Sequence, residues 1–372
     1  MRILIYNWRD IAHPYAGGAE VYTDRVASEW VKLGHEVTLF ASSVDGCDES
    51  SVALGGYQVI RRGSRHTVYR EARRFWRSQG SGNFDLVVDE VNTRPFLCPR
   101  FVKEAPVIAL IHQVCREVWT AETRWPLSWI GRYVLEPLWL SFYRKVRVIT
   151  VSESSRQSLH DYGLRDVVVV PEGVDSSESG DVWRKEDRPT LIFVGRLAAS
   201  KRAADVLAVH RSLQRRVPDV QLWMIGGGPK EQELRSLAGE GVTFFGRCSE
   251  DVKMELLSRA HVLVATSVRE GWGLVITEAA QMGTISCSYD VPGLRDSVLA
   301  SGGMLSGGSP ECLANVVAAS LEAVVAGRAW PRVSGVLAWG EVAGRILVAV
   351  EDLLFEPEAS TVAIMDGLAD VV

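Results

Sequence analysis

The stretch HVLVATSVREGWGLVITEAAQMG, residues 261–283, reads as a strand, a loop and a helix in immediate succession. Residues 261–267 form a short, continuous apolar run of the kind found in strands covered on both faces. Residues 268–273 hold Glu270 and two glycines, which marks a loop. Residues 274–282 then read as a helix that stops before Gly283. A strand leading directly into a helix is half of a βαβ unit, and the pattern recurs on both sides.

Downstream comes TISCSY; upstream come TLIFVGRL, QLWMIGGG and VTFFGR, with helices from about 201 and 230 between them. Further upstream, residues 175–189 (DSSESGDVWRKEDRP) have the composition of a linker. Before that linker the alternation is seen again. RILIYNW, EVTLFAS, FDLVVDE, PVIALIH and RVITVSE are strands. Val21, Val26, Trp30, Val31 and Leu33 fall at helical spacing, with Gly34 as a stop. The fold class is therefore α/β, with two Rossmann-like, doubly wound domains over 1–174 and 175–372 and the final helices free to cross back. Ligands of such sheets bind beyond the carboxyl ends of the strands, so two facing sheets make one cleft.

Composition narrows the function. The chain has 372 residues, enough for two cores, and a net charge of −5, which argues against a general nucleic-acid binder. Its six cysteines are scattered, so neither a zinc site nor a disulfide framework is expected, and a reducing, cytoplasmic setting fits. The N-terminus lacks a signal-peptide layout. The most apolar segment, 125–145, contains Arg132, Glu136, Pro126 and Pro137, and is expected as a buried helix rather than a membrane span.

The chemistry sits just after the strands. Gly17 and Gly18 precede a helix start, where backbone amides favour an anion. Arg196 follows the strand glycine Gly195, and Lys201 comes five residues later; together they offer a planar fork and a mobile point charge for phosphate oxygens. The bland alternative is a pair of solvated cations. Gly273, Leu274 and Val275 open a second helix able to take a phosphate, with Glu270 before it and Glu278 behind it. Those two acids suit hydroxyls on either side of a diphosphate, the layout of a nucleotide-sugar. The alternative is a capped helix with Glu278 in solvent. No G-x-G-x-x-G, P-loop or D-x-D occurs, so a dinucleotide fingerprint and a metal site are both unsupported.

Taken together, GGAE, VSES (151–154), VVPEGVD (169–175), VGRLAASK, IGGGP (225–229), VTFFGR (242–247), EGWGLVITE and VPGLRD (291–296) occur in order over most of the chain. They resemble the family-four retaining glycosyltransferases of the GT-B fold. The resemblance implies that Arg196 and Lys201 bind the diphosphate, that Glu278 holds the ribose hydroxyls and that Glu270 lies near the donor sugar. It further implies that Gly18, beside Gly17, approaches the donor phosphate, that His112 stands at the reaction centre and that Arg247 lies by the base. Gly195, Gly271, Trp272, Gly273, Leu274 and Val275 complete the implied donor site. Glu172, Arg202 and Gln113 depart from the family's usual Asn, Gly and acid, and Trp272 replaces a common Phe.

The implied activity is metal-independent, retaining transfer from a UDP- or GDP-linked sugar to a glycan, glycolipid or small-molecule acceptor, with no cofactor and no nucleic acid. Rivals are a GT-B sugar-nucleotide epimerase and a catalytically silent nucleotide-sugar-binding subunit. Residues 61–77 carry seven arginines and one acid, and from Val68 they form a basic amphipathic helix. It reads either as a sheet-covering helix with a solvated arginine face or as a peripheral contact with anionic lipid at the inner membrane face or with an anionic acceptor.

Overall fold

The computed structural model describes residues 1–175, 184–328 and 336–354, so most of the expected linker lies outside the described residues. The first sheet has eight strands: β1 (Arg2–Tyr6), β2 (Glu36–Ala41), β3 (Ser50–Val52), β4 (Gln58–Arg61), β5 (Leu86–Glu90), β6 (Val107–Leu110), β7 (Val148–Thr150) and β8 (Val167–Val169). Their order is β3-β4-β2-β1-β5-β6-β7-β8, with only β3 antiparallel to its neighbour. A short β9 (Gly173–Val174) ends this half.

The second sheet has six strands: β10 (Thr190–Val194), β11 (Gln221–Ile225), β12 (Val242–Gly246), β13 (Val262–Ala265), β14 (Ile285–Tyr289) and β15 (Met304–Ser306). Its order is β12-β11-β10-β13-β14-β15, all parallel. Each sheet therefore has a switch point, between β1 and β5 in the first and between β10 and β13 in the second. Crevices open there because neighbouring connections leave to opposite faces.

The helices of the first half are α1 (Gly18–Lys32), α2 (Val68–Phe75), α3 (Arg116–Glu122), α4 (Leu127–Ile130), α5 (Glu136–Ser141) and α6 (Glu153–Asp161). Those of the second are α7 (Ala203–Gln214), α8 (Glu231–Leu237), α9 (Glu250–Arg259), α10 (Leu274–Gln281), α11 (Leu294–Ala300), α12 (Pro310–Val325) and α13 (Trp339–Leu354). One face of the second sheet buries Val206, Val209, Leu313 and Val317 from α7 and α12. The other buries Leu257, Ile276 and Val298 from α9, α10 and α11.

The last helix belongs to the first half in packing terms. Trp339, Val342, Ile346 and Val350 of α13 join the cluster of Val26 and Trp30 from α1 with Ile3, Ile5 and Val88 from the sheet. The Trp30 indole donates to the Ala343 carbonyl at 3.1 Å. A two-residue strand, β16 (Leu337–Ala338), pairs with β9 and brings the helix in.

The opposite face of the first sheet carries α2. Val68, Ala72 and Phe75 are buried, so its apolar stripe is used by the core, while Arg70, Arg73, Arg74 and Arg77 remain exposed. The segment 125–145 needs correction. It is helical but broken, with a wide turn over Gly131–Leu135 between α4 and α5, and it is not buried. Trp125, Leu127, Trp129, Tyr133, Val134 and Leu138 are all exposed. Only residues such as Glu136, Leu140 and Tyr143 face inward, because α3 to α5 form a layer with no further element over it. Among the described residues no helix is long and apolar enough to cross a membrane.

Candidate functional site

The loops after β10 and β13 flank the switch point of the second sheet. Arg196 follows β10, and Lys201 ends a single tight turn, Ala199–Lys201. The Thr266 hydroxyl donates to the Lys201 carbonyl at 2.8 Å and so ties that turn to the β13 loop. The Lys201 ammonium is ion-paired with Glu270, whose Oε1 also accepts from the Ser267 hydroxyl at 2.6 Å. Arg196 is about half exposed (48%), and Glu122 lies 3.6 Å from it.

The glycines of IGGG brace this arrangement. A Cβ on Gly226 would sit 2.0 Å from the Gly195 carbonyl oxygen, and one on Gly228 would sit 2.5 Å from that of Leu197. The turn is thus a close backbone contact beneath the Arg196 loop. Arg247 follows β12, lies against this turn, where a Cβ on Gly227 would be 3.6 Å from it, and donates to the Pro14 carbonyl in the first half.

Two helix starts meet across the cleft. Gly273, at φ +98°, turns the chain into α10. A Cβ on Gly18, at the start of α1, would lie 3.6 Å from Leu274. Gly17 donates to Glu20 at 2.7 Å, which caps α1 and keeps that acid out of the cleft. Unpaired amides at both starts favour a polyanion between them. Val275 follows Leu274 on the first turn of α10 and is half-buried.

Glu278 lies further along α10 and is paired with Lys253 at 2.7 Å. Burial pushes its carboxyl up, and Lys253 opposes that push. Trp272 is buried in the cluster it shares with α1 and α13, so its ring wedges the two halves together rather than lining an open wall. Gly271 is needed beside it, since a Cβ there would lie 2.9 Å from the His112 carbonyl oxygen.

His112 follows β6 and is buried. Its Nδ1 is 3.2 Å from Glu172, its Nε2 is 3.7 Å from Glu90, and Tyr22 meets its ring edge-on at 4.8 Å. Burial alone would push the imidazole down, but Glu172 and Glu90 outweigh it and hold the group up at about 10. His112 is therefore an imidazolium at neutral pH, with Nε2 unpartnered by a good hydrogen bond. Glu172, noticed in the sequence only as a departure, is its main partner. Burial pushes the Glu172 carboxyl up, and His112 opposes that.

Several residues were missed. Glu90 and Tyr22 flank His112, Lys253 holds Glu278, and α3 reaches across the cleft. The buried Arg269 donates to Glu117 at 2.6 Å, and the Ser200 amide donates to Glu122 at 3.0 Å. Only strand adjacency reveals Glu90, which ends β5 beside β6; no spacing in the chain signals the others. Among the described residues no group of three or more His, Cys, Asp or Glu could hold a metal ion.

Comparison with known proteins covers both halves. Residues 16–178 match the family described as Glycosyltransferase Family 4, and residues 175–321 match that described as Glycosyl transferases group 1. A phosphatidyl-myo-inositol mannosyltransferase of Mycolicibacterium smegmatis is 26% identical over 309 residues, 77% of this chain and 75% of that protein. The structure is similar to that of sucrose-phosphate synthase from Thermosynechococcus elongatus, with a TM-score of 0.75 at 18% identity over 95% of this chain and 98% of that one. It is also similar to Anabaena HepE in complex with UDP-glucose, with a TM-score of 0.69 at 14% identity over 95% and 100% of the two chains.

Proposed function

Because this chain is a GT4-type glycosyltransferase with the GT-B fold, we propose that it transfers a hexosyl group from a UDP- or GDP-linked sugar to an acceptor hydroxyl, with retention and without a metal ion. The observation that carries this reading is the meeting of Arg196, Lys201 and two helix starts beside the His112 imidazolium in one cleft.

The diphosphate lies between the starts of α1 and α10, with Arg196 and Lys201 on its oxygens. These fixed charges face the position where negative charge grows as the glycosidic bond breaks. Glu270 gives up part of its hold on Lys201 and accepts from donor-sugar hydroxyls. Glu278 accepts from the ribose. His112, with its free Nε2 N–H, donates to the donor sugar from the acceptor side. The leaving phosphate oxygen takes the proton of the acceptor hydroxyl as that hydroxyl attacks from the same face. Glu270 is assigned the part of a hydrogen-bond acceptor and not of a covalent nucleophile; in the structure its Oε1 is shared by Lys201 and Ser267.

The acceptor is a glycan, a glycolipid or a small molecule bound in the first half. The protein works in the cytoplasm, with a peripheral contact at the inner membrane face through the arginine side of α2. The test is a panel of UDP- and GDP-sugars, GDP-mannose among them, incubated with acceptors in excess EDTA. Expected is nucleotide release that needs acceptor and yields a product with the donor's anomeric configuration. An inverted product, or strict dependence on added Mg²⁺ or Mn²⁺, overturns the mechanism. Nucleotide release with no acceptor present favours an epimerase instead.

A further inference from the structure

The switch point of the first sheet carries a cluster that the donor chemistry does not use. Trp8 and Arg9 follow β1, Arg65 follows β4 and Arg94 follows β5. The Arg9 and Arg65 guanidiniums lie over the same Trp8 ring, at 4.5 and 5.6 Å from its centroid. Arg94 lies over Tyr69 at 4.1 Å. All three cations act on the Tyr69 hydroxyl, and Arg9 and Arg65 also act on His13, whose ring meets Trp8 edge-on at 5.4 Å.

The charges do not cancel. Arg9 is neutralised by Glu20 at 2.8 Å, but among the described residues neither Arg65 nor Arg94 has a carboxylate within ion-pair distance. Two arginines on aromatic platforms thus keep uncompensated charge in a chain of net charge −5, and both attract an anion. Stacking on Trp8 and Tyr69 holds the two planar forks out of the core and ready for oxygen ligands. Thr93, at φ +155°, holds an unfavourable backbone conformation directly before Arg94.

The cluster also lies next to the reaction centre. Arg9 is bonded to Glu20, the Asn92 amide reaches Asn7 at 3.0 Å, and Glu20 feels the charge of Glu90, which faces His112. A group held at Arg65 and Arg94 is therefore on the acceptor side of the cleft.

We infer that the acceptor carries a phosphoryl group, bound by Arg65 and Arg94 with Arg9 adding to the field. This rests on the transferase reading above and names the acceptor class for that site. A phosphate monoester carries about −1.5 to −2 charges at neutral pH, which matches the two free guanidiniums; a single carboxylate would leave one cation uncompensated. The phosphate monoester is borne either by a soluble metabolite or by a lipid that ends in one, as phosphatidic acid does.

The experiment uses the full chain saturated with UDP, or with GDP if that is the nucleotide it binds, so that the donor phosphate site is filled. Inorganic phosphate, glycerol 3-phosphate and glycerol are titrated by calorimetry, and phosphatidic acid vesicles by co-sedimentation. Expected is binding of the two phosphates and not of glycerol, weakened at least tenfold in the Arg65→Gln/Arg94→Gln variant, with circular dichroism and nucleotide affinity unchanged. Arginine-dependent binding to vesicles assigns a lipid-borne phosphate, and arginine-dependent binding of the soluble compounds alone assigns a free one. Binding that the double substitution leaves unaltered, or no phosphate binding to the nucleotide complex by either route, overturns the inference. Failure of the wild-type chain to bind either UDP or GDP would instead refute the donor reading.

Discussion

Lys201 reaches the centre of the cleft only because its tight turn is tied to the β13 loop, and there its charge is shared with Glu270. On the proposed mechanism a donor diphosphate takes over that charge and draws Arg196, which stands 3.6 Å from Glu122 in the structure, to join it. Fixed cations of this kind are each worth roughly 2.7–4 kcal/mol in the transition state. Lys201→Ala and Arg196→Ala are each expected to lower kcat/KM by at least about 100-fold with the fold intact, because both side chains lie at the cleft. Steady-state kinetics beside circular dichroism decides it, and near-normal turnover in either variant removes that residue from the mechanism. His112 gives a second expectation through its proton. Its group is held up at about 10 in the folded chain, against an ordinary value of 6.5. The folded state therefore keeps a proton that the unfolded chain releases across that window. The stability it supplies is complete below about pH 6.5 and is lost as pH rises towards 10. Urea midpoints of the wild type should fall between pH 7 and 10, and those of His112→Asn should fall less; parallel slopes would show that His112 is neutral. The positions of Arg196, Lys201 and Glu270 beside the switch point were legible because loops at strand ends gather there in a doubly wound sheet, and that of Glu278 because α10 follows such a loop; their donor-binding roles remain the proposal above. Glu90 and Lys253 were not, because each acts on a residue distant in the chain.

At the level of elements, the sheets and most helices follow from continuous apolar runs and helical periodicity, since both faces of each sheet must be covered. Periodicity does not say whether a covering element exists for the last apolar face. Segment 125–138 shows this: its hydrophobicity matches that of a core helix, yet six large apolar side chains face outward. For α2 the sequence left two outcomes. The structure buries Val68, Ala72 and Phe75 and leaves the arginines outside, with only Glu71 against Arg70 and Arg74. The α4–α5 segment covers the same face of the first sheet, since Ala109 and Ile111 beneath it alternate with Ile108 and Leu110 on the α1 side. Basic and exposed aromatic side chains on one side suit an anionic interface. Each cation near such a surface contributes about 1 kcal/mol, so four give weak, salt-sensitive binding. Wild type should sediment with phosphatidylglycerol vesicles at low salt and be released at high salt. An Arg70/Arg73/Arg74/Arg77→Ser variant should stay in solution throughout. Equal, poor binding by both proteins ends the membrane-contact reading of α2.

Across the whole molecule, the two halves are joined by contacts from α3 and by the last helix. Arg269 of the second half is buried against Glu117 and Ser158 of the first. Glu122 accepts from the Ser200 amide and stands 3.6 Å from Arg196. That carboxylate lies where the chain offers cations and amides to a diphosphate, so the donor and Glu122 compete for the same partners. On the proposed mechanism, donor entry is expected to displace Glu122 and shift α3 with the first half, α13 being packed on α1 through Trp339 and Ile346. A ligand shifts such an equilibrium only by its unequal affinity for the two arrangements, and the competition supplies that inequality. Saturating UDP is expected to change the small-angle scattering curve of the wild type. Glu122→Gln removes the competing charge and keeps a similar shape, so it should bind UDP about tenfold more tightly, equivalent to about 1.4 kcal/mol. Superimposable scattering curves together with unchanged UDP affinity in Glu122→Gln would mean that α3 already leaves the diphosphate site open.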